Sequence, residues 1–280
     1  MTDFSEDRTP RQNAANRAPE VLSELLLTAG WSAADMESVP TVTPDLERQR
    51  HKGVPEVVFA EPKRPDDALA AARAFVERNG RALLSRVQDP LPERLRAEFA
   101  HCRVDFHPAS RMMVVKRSDF VQPRSGGRVG VLSAGTSDVP VAEEAAIVAA
   151  EMGCDVEVGY DVGVAGLHRL VAPLRRMLDL GADVIIVAAG MDGALPSVVA
   201  GLVDVPVIGL PTSVGYGVGG RGLGAMLTML QTCSPGLMVV NIDNGVGAGA
   251  SAALIANRMA AARRERWEQP EDGAQPSAAV

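Results

Sequence analysis

Aromatic side chains are scarce in this chain: two Trp, two Tyr and six Phe among 280 residues. With 46% of the residues hydrophobic, aliphatic side chains must build the core. Cysteine is scarcer still. Cys102, Cys154 and Cys233 are an odd number without C-x-x-C spacing, which argues against a disulfide framework or a cysteine zinc site and makes a reducing cytoplasm the expected compartment. Positive charge is not in excess: 28 Lys and Arg against 35 Asp and Glu leave a net charge of −7. Neither a nucleic-acid partner nor a polybasic membrane role is expected from that balance. Long apolar runs are missing too. The most apolar stretch, 184–203, is interrupted by Asp192, Pro196 and glycines, so it reads as strand, loop and helix rather than a membrane span. The start carries Asp3, Glu6 and Asp7 and reads without a signal peptide.

What is present divides near residue 125. Residues 1–124 are charge-balanced, the whole net charge falls in 125–280, and most of the 27 glycines lie between 126 and 250. The segment PRSGG (123–127) reads as a linker. In the second half, 128–134, 154–160, 183–189, 205–211 and 237–242 are short β-branched runs alternating with helical spacing such as 141–153 and 222–231. That pattern predicts βαβ units. The first half predicts helices at 19–29 and 66–79 and strands at 55–60, 81–87 and 111–116. The expected fold class is α/β: a small amino-terminal α/β domain (19–124), then a doubly wound, five-stranded parallel sheet of flavodoxin-like type (125–262). Disorder is expected at 1–18 and 263–280.

Ligands of an open parallel sheet bind outside the carboxyl ends of its strands. Those ends read SAGTSD (133–138), GYDVG (159–163), AAGMDG (188–193), LPTSVGYG (210–217) and NIDNG (241–245). Four supply an aspartate: Asp138, Asp161, Asp192 and Asp243. Gly, Ser and Thr in the same loops let a ligand approach the backbone and its amide donors. SAGTSD precedes a helix and suits an anion. It is neither G-x-G-x-x-G nor a P-loop. The run 213–222 is either a lid or a plain flexible loop. His168-Arg169 offers a proton shuttle and a phosphate fork, or a helix-surface pair. Cys233, after a helix, reads by itself as a packing residue, and the helix carboxyl end disfavours a thiolate.

SAGTSDVPVAEEAA, YDVGVAGLHRL, AGMDGALPSVVAGL, PTSVGYG and VNIDNGVGAG resemble the LarB family, the carboxylase/hydrolases of nickel-pincer nucleotide cofactor biosynthesis. The stretch from Asp45 through Arg48 to Gly53–Phe59 is similar to that family's amino-terminal signature, with His51 where a second Arg is expected. The second half also resembles, more distantly, the aminoimidazole ribonucleotide carboxylase/mutases of purine synthesis, whose Ser-Asp loop and His-Arg pair correspond to Ser137-Asp138 and His168-Arg169.

The LarB resemblance implies a substrate, nicotinic acid adenine dinucleotide, which is carboxylated on its pyridinium ring with carbon dioxide or bicarbonate and then cleaved to release AMP. It implies Cys233 as a nucleophile that adds to the ring and leaves again, and Asp138 or His168 as the base. Phosphates would take Thr136, Ser137, Arg169 and loop amides. The remaining expected substrate positions are Gly135, Asp161, Gly190, Met191, Asp192, Gly193, Ser213, Gly215, Tyr216 and Asp243. Mg²⁺ would aid anhydride cleavage, with Asp138 or Asp192 reaching it through water. The alternatives are a purine-pathway carboxylase/mutase and a non-catalytic nucleotide-sensing module. Cys233 follows a helix that runs back to the amino edge of the sheet, whereas the aspartates lie at the carboxyl edge. Either the sheet reading is wrong at this point or Cys233 reaches the loops of a neighbouring subunit. The resemblance to the purine-pathway carboxylase/mutases, oligomers with sites at subunit boundaries, implies the second: a homo-oligomer with sites shared between subunits.

Overall fold

The computed structural model describes residues 42–268. The expectations of disorder at 1–18 and a helix at 19–29 lie outside them. In the first half, β1 (Val57–Phe59), β2 (Arg81–Ser85), β3 (Arg103–His107) and β4 (Met112–Lys116) form a sheet in the order β1-β2-β4-β3. β1 pairs parallel to β2, and the other pairings are antiparallel. The helices here are α1 (Arg48–Lys52), α2 (Pro65–Asn79) and α3 (Leu91–Glu98). α2 begins with Pro65 at its first position and Asp66 and Asp67 in its first turn, and it ends on Gly80 in the left-handed region. α1, β3 and α3 were not anticipated.

The second half contains β5 (Arg128–Ser133), β6 (Asp155–Gly159), β7 (Val184–Ala189), β8 (Val207–Pro211) and β9 (Leu237–Val239), all parallel, in the order β6-β5-β7-β8-β9. This is the flavodoxin-like order, and it reverses between β5 and β7. Every residue of the central β7 is buried, as a strand covered on both faces requires. On one face α4 (Val139–Glu151) and α8 (Gly245–Glu268) pack against Val129, Val131, Val184 and Ile186. On the other, α5 (His168–Leu180), α6 (Leu195–Ala200) and α7 (Leu223–Leu230) pack against Leu132, Ile185 and Val187.

The two halves are less separate than their compositions suggest. Met112 and Val114 of β4 belong to the same core as α4 and α8. Arg81 and Ser85, on one face of β2, reach α4: Arg81 Nη1 donates to Glu151 Oε2 at 2.9 Å, and Ser85 Oγ to Glu144 Oε1 at 2.5 Å. The expected linker 123–127 is fastened rather than loose, with Ser125 N and Oγ both donating to the Gly153 carbonyl at 2.9 Å. The tail expected from 263 is helical to Glu268, and Arg263 forms an ion pair with the buried Asp183. Among the described residues no helix is long and apolar enough to cross a membrane.

Candidate active site

After β5 the chain makes a short 3₁₀ turn, Thr136–Asp138, and enters α4. Asp138 points inward and is only 4% exposed. Its Oδ2 accepts the Gly135 amide at 2.8 Å, its Oδ1 accepts the Thr212 hydroxyl at 2.5 Å, and the Gly190 amide also donates to it. One carboxylate thus ties together the ends of β5, β7 and β8 at the crevice where the strand order reverses. Burial pushes its pKa up. The Thr212, Gly135 and Gly190 donors pull it down, the charge of Asp243 pushes it up again, and the net direction is upward. A carboxylate so placed is a stronger base than one in water.

The neighbouring loops cross backbone on backbone. Met191 N donates to the Val214 carbonyl at 2.8 Å, and a Cβ on Gly190 would lie 2.2 Å from that oxygen, so only glycine fits. Gly193 and Gly215 are similarly crowded, by Ala225 and by Gly219. Ser213 N donates to Asp243 Oδ1 at 2.8 Å, and Asp243 N to the Pro211 carbonyl at 2.9 Å. Asp138, Gly190, Ser213 and Asp243 are thus drawn together, with Gly135, Thr136 and Ser137 alongside. Met191 and Tyr216 stand exposed on the surrounding loops.

Other expected residues are set outside this cluster. Asp161, His168 and Arg169 follow the edge strand β6. The Asp161 amide donates to Ser133 Oγ at 3.1 Å, so its backbone adjoins the end of β5 while its carboxylate is turned to Arg169. Arg169 Nη1 is engaged by Asp161 Oδ2 at 2.6 Å, and His168 is exposed at the first position of α5. Asp192 is exposed and accepts its own loop's Ala194 amide. Cys233 is exposed near the amino edge: Gly236, three residues on, accepts from Val207 at the start of β8, whereas Asp243 meets Pro211 at that strand's end. The four residue steps from Val207 to Pro211 separate those levels by about 13 Å. Cys233 therefore does not join Asp138 within one chain. His51 pairs with Asp45 and Arg50 with Glu47, both exposed.

Among the described residues no three His, Cys, Asp or Glu side chains gather as metal donors. Asp138 has donors on both oxygens and Asp192 stands alone, so these two do not form a cage for Mg²⁺.

A cleft of about 230 Å³ opens beside Ser137, Ser213 and Asp243, and its opposite wall comes from the first half: Arg86, Ser110 and Arg111. Sequence reasoning missed these three, and also Glu144, which is buried in the cleft floor with its pKa pushed up by burial. Arg86 and Arg111 hold φ of 53° and 55°, and Asp243 of 55°, left-handed values that non-glycine residues adopt mostly where the surroundings enforce them. Nothing in the local sequence signals that. Arg86 Nη2 donates to the Asp243 carbonyl at 2.7 Å, bridging the two halves.

A family model described as AIR carboxylase matches residues 128–274. The chain belongs to the AIR carboxylase family. Its members are enzymes, carboxylases and mutases, and residues 36–117 of this one match a second model, the LarB/PurE-like N-terminal domain. An uncharacterised protein of Methanocaldococcus jannaschii is 45% identical over 218 residues, 77% of this chain and 84% of the relative. N5-carboxyaminoimidazole ribonucleotide mutases of Pyrococcus abyssi and Thermotoga maritima are 35% and 32% identical over 133 and 135 residues. Each alignment covers 46% of this chain, and 71% and 74% of the respective mutase. In this AIR carboxylase family chain the Asp138 crevice belongs to the part matched by the family model, whereas Arg86, Ser110 and Arg111 come from the LarB/PurE-like part.

Proposed function

We propose that this chain is a LarB-type carboxylase/hydrolase. It carboxylates the pyridinium ring of nicotinic acid adenine dinucleotide and hydrolyses the phosphoanhydride, yielding pyridinium-3,5-biscarboxylic acid mononucleotide and AMP. The observation that carries this reading is the cleft wall supplied by the amino-terminal half. Two arginines, Arg86 and Arg111, line the cleft opposite the carboxyl-edge loops, both paired with Glu61 at 3.3–3.4 Å. A substrate with two linked phosphates and a ring carboxylate calls for such donors.

The chemistry then assigns tasks. A pyridinium carbon is electron-poor and does not attack carbon dioxide. Addition of a thiolate to the carbon beside C5 gives a dihydropyridine whose C5 is an enamine carbon, and C5 bonds to carbon dioxide with charge left on nitrogen. Loss of the C5 proton to a base and expulsion of the thiolate, with its electron pair, restore the aromatic ring. Asp138, buried and more basic than an ordinary carboxylate, suits the proton transfer better than His168, which stands apart in solvent. Mg²⁺ would have to be held by the substrate's phosphates, where it would assist anhydride cleavage, since Asp138 and Asp192 do not form a carboxylate cage.

Cys233 would supply the thiolate from a neighbouring subunit. Leu223, Leu227 and Leu230 form an exposed stripe along α7, with Met238 of the edge strand β9 exposed as well. An uncovered apolar stripe on the element just before Cys233 supports a second copy of the chain as its cover.

The test is incubation with nicotinic acid adenine dinucleotide and bicarbonate, beside a parallel incubation with N5-carboxyaminoimidazole ribonucleotide. AMP and a carboxylated mononucleotide are expected from the first, nothing from the second, and the reverse pattern overturns the proposal. Cys233→Ala should abolish carboxylation. Cys102→Ala and Cys154→Ala should retain it, since burial pushes the Cys154 thiol up to about 11 and leaves it unreactive.

A further inference from the structure

The cleft beside Ser137 has a neighbour. A second lobe, of about 310 Å³, shares Arg86, Glu144 and Asp243 with the first and extends away from the Asp138 crevice, between β1 and the turn that enters α8. That volume is at the lower end for a small-molecule pocket. Its lining differs from that of the first lobe. Val57, Ile242 and Val246 give apolar walls, and Phe59, at the end of an edge strand, leaves 44% of its surface in solvent. The Arg86 guanidinium lies over the Phe59 ring, 5.2 Å from its centroid. Together they make a flat cation–aromatic pair at the junction of the lobes.

Two carboxamides also face this lobe with their orientation decided. Asn241 Oδ1 accepts the Ile242 amide at 2.9 Å, and Asn244 Oδ1 accepts the Gly247 amide at 2.8 Å. With the oxygens so committed, each NH₂ group is the free end, and neither has a partner among the described residues. The lobe therefore combines a stacking surface, apolar walls, outward N–H donors and a guanidinium at the side facing the reaction crevice. A planar heteroaromatic base with ring-nitrogen acceptors, carried on a ribose phosphate, satisfies all four.

We propose that this second lobe is an adenylate subsite. The base lies against the Phe59–Arg86 pair, the Asn241 and Asn244 amides donate to base or ribose, and Arg86 meets the phosphates that link this half of the ligand to the half at Asp138. The choice of adenine rests on the dinucleotide reading given above. The subsite gives the amino-terminal half a task that a mononucleotide enzyme does not need.

The test uses the full-length protein with AMP and, separately, nicotinic acid mononucleotide, titrated by calorimetry. Phe59→Leu keeps an apolar side chain at an exposed position and removes the ring. Asn241→Ala removes one donor, and Arg86→Lys keeps charge without the plane. Phe59→Leu is expected to weaken AMP binding about tenfold, Asn241→Ala to weaken it less, and both to shift nicotinic acid mononucleotide affinity less than twofold. With the dinucleotide, the loss should fall on KM rather than kcat. Circular dichroism and Tm establish that each variant is folded. If AMP does not bind the wild type, or binds Phe59→Leu and Asn241→Ala as tightly as wild type, the subsite is wrong. Turnover of the dinucleotide with unaltered KM in those variants overturns the subsite and leaves the enzymatic reading intact. AMP binding that depends on Phe59, in a protein that never carboxylates the dinucleotide, upholds the subsite and overturns that reading.

Discussion

Asp138 is a carboxyl group that the fold holds at a cost. Burial raises its pKa above the ordinary value of 3.8 even though Thr212, Gly135 and Gly190 donate to it. Between 3.8 and its folded pKa the native chain binds more protons than the unfolded chain, so its contribution to stability falls as pH rises through that window and stays low above it. Asp138→Asn removes the titration. Its Tm relative to wild type should therefore be more favourable at pH 7–8 than at pH 4–5, while carboxylation is largely lost. Thermal melts of the pair across that range check the slope, and a slope of opposite sign would mean that the site stabilises the charged form. Glu144 is also buried and pushed up, so it acts in the same sense in both proteins and cancels in the comparison. Asp138 was legible in the sequence because a strand-end loop before a helix is a place where ligands meet an open sheet. Arg86 and Glu144 were not. Arg86 owes its role to a left-handed backbone and a carbonyl 157 residues away, and Glu144 to a serine 59 residues earlier. Residue type and local spacing carry neither fact.

At the scale of elements, the five parallel strands were readable because strands covered on both faces need uninterrupted β-branched residues, as Val184–Ala189 has. β3 was missed because it is a half-exposed edge strand, Arg-Val-Asp-Phe-His, whose burial comes from pairing with β4. α3 is a short helix opened by Leu91 and Pro92, without a capping side chain to announce it. The contact between α4 and α8 is a different case, built from small residues: Ala145, Val148 and Ala149 against Ala248, Ala252 and Ala256. Gly249 lies at its closest point, where a Cβ would come 2.4 Å from the Ala145 carbonyl and 3.0 Å from Val148. In a free helix Gly→Ala gains about 1 kcal/mol. Here the obstacle is backbone rather than a flexible side chain, and overpacking of that kind costs about 1–3 kcal/mol. Gly249→Ala is thus expected to destabilise the protein, read as a lower urea midpoint with unchanged m-value. A rise in the midpoint would show that the two helices part easily.

At the scale of the whole molecule, the first sheet is joined to the second half through a common core and through Glu151, which meets both Arg81 and Lys116. The amino-terminal half is thereby fixed where Arg86 overhangs the carboxyl-edge loops, but nothing in one chain brings Cys233 there. The length of β8, about 13 Å from Val207 to Pro211, is too far for a sulfur to attack a ring bound near Asp138. The proposed chemistry therefore requires that one chain lend its cysteine to another, and two inactive variants can reveal this. Cys233→Ala chains keep Asp138, and Asp138→Asn chains keep Cys233. Where a Cys233→Ala chain supplies the crevice and an Asp138→Asn chain supplies the sulfur, a complete site forms. In a random equal mixture with one partner per site, about a quarter of the sites are complete. Mixing under conditions that permit subunit exchange should restore activity towards that fraction, with mixed species verified by native mass spectrometry on differently tagged chains. If both residues had to come from one chain, every site in the mixture would lack one of them, and verified mixed oligomers would stay inactive.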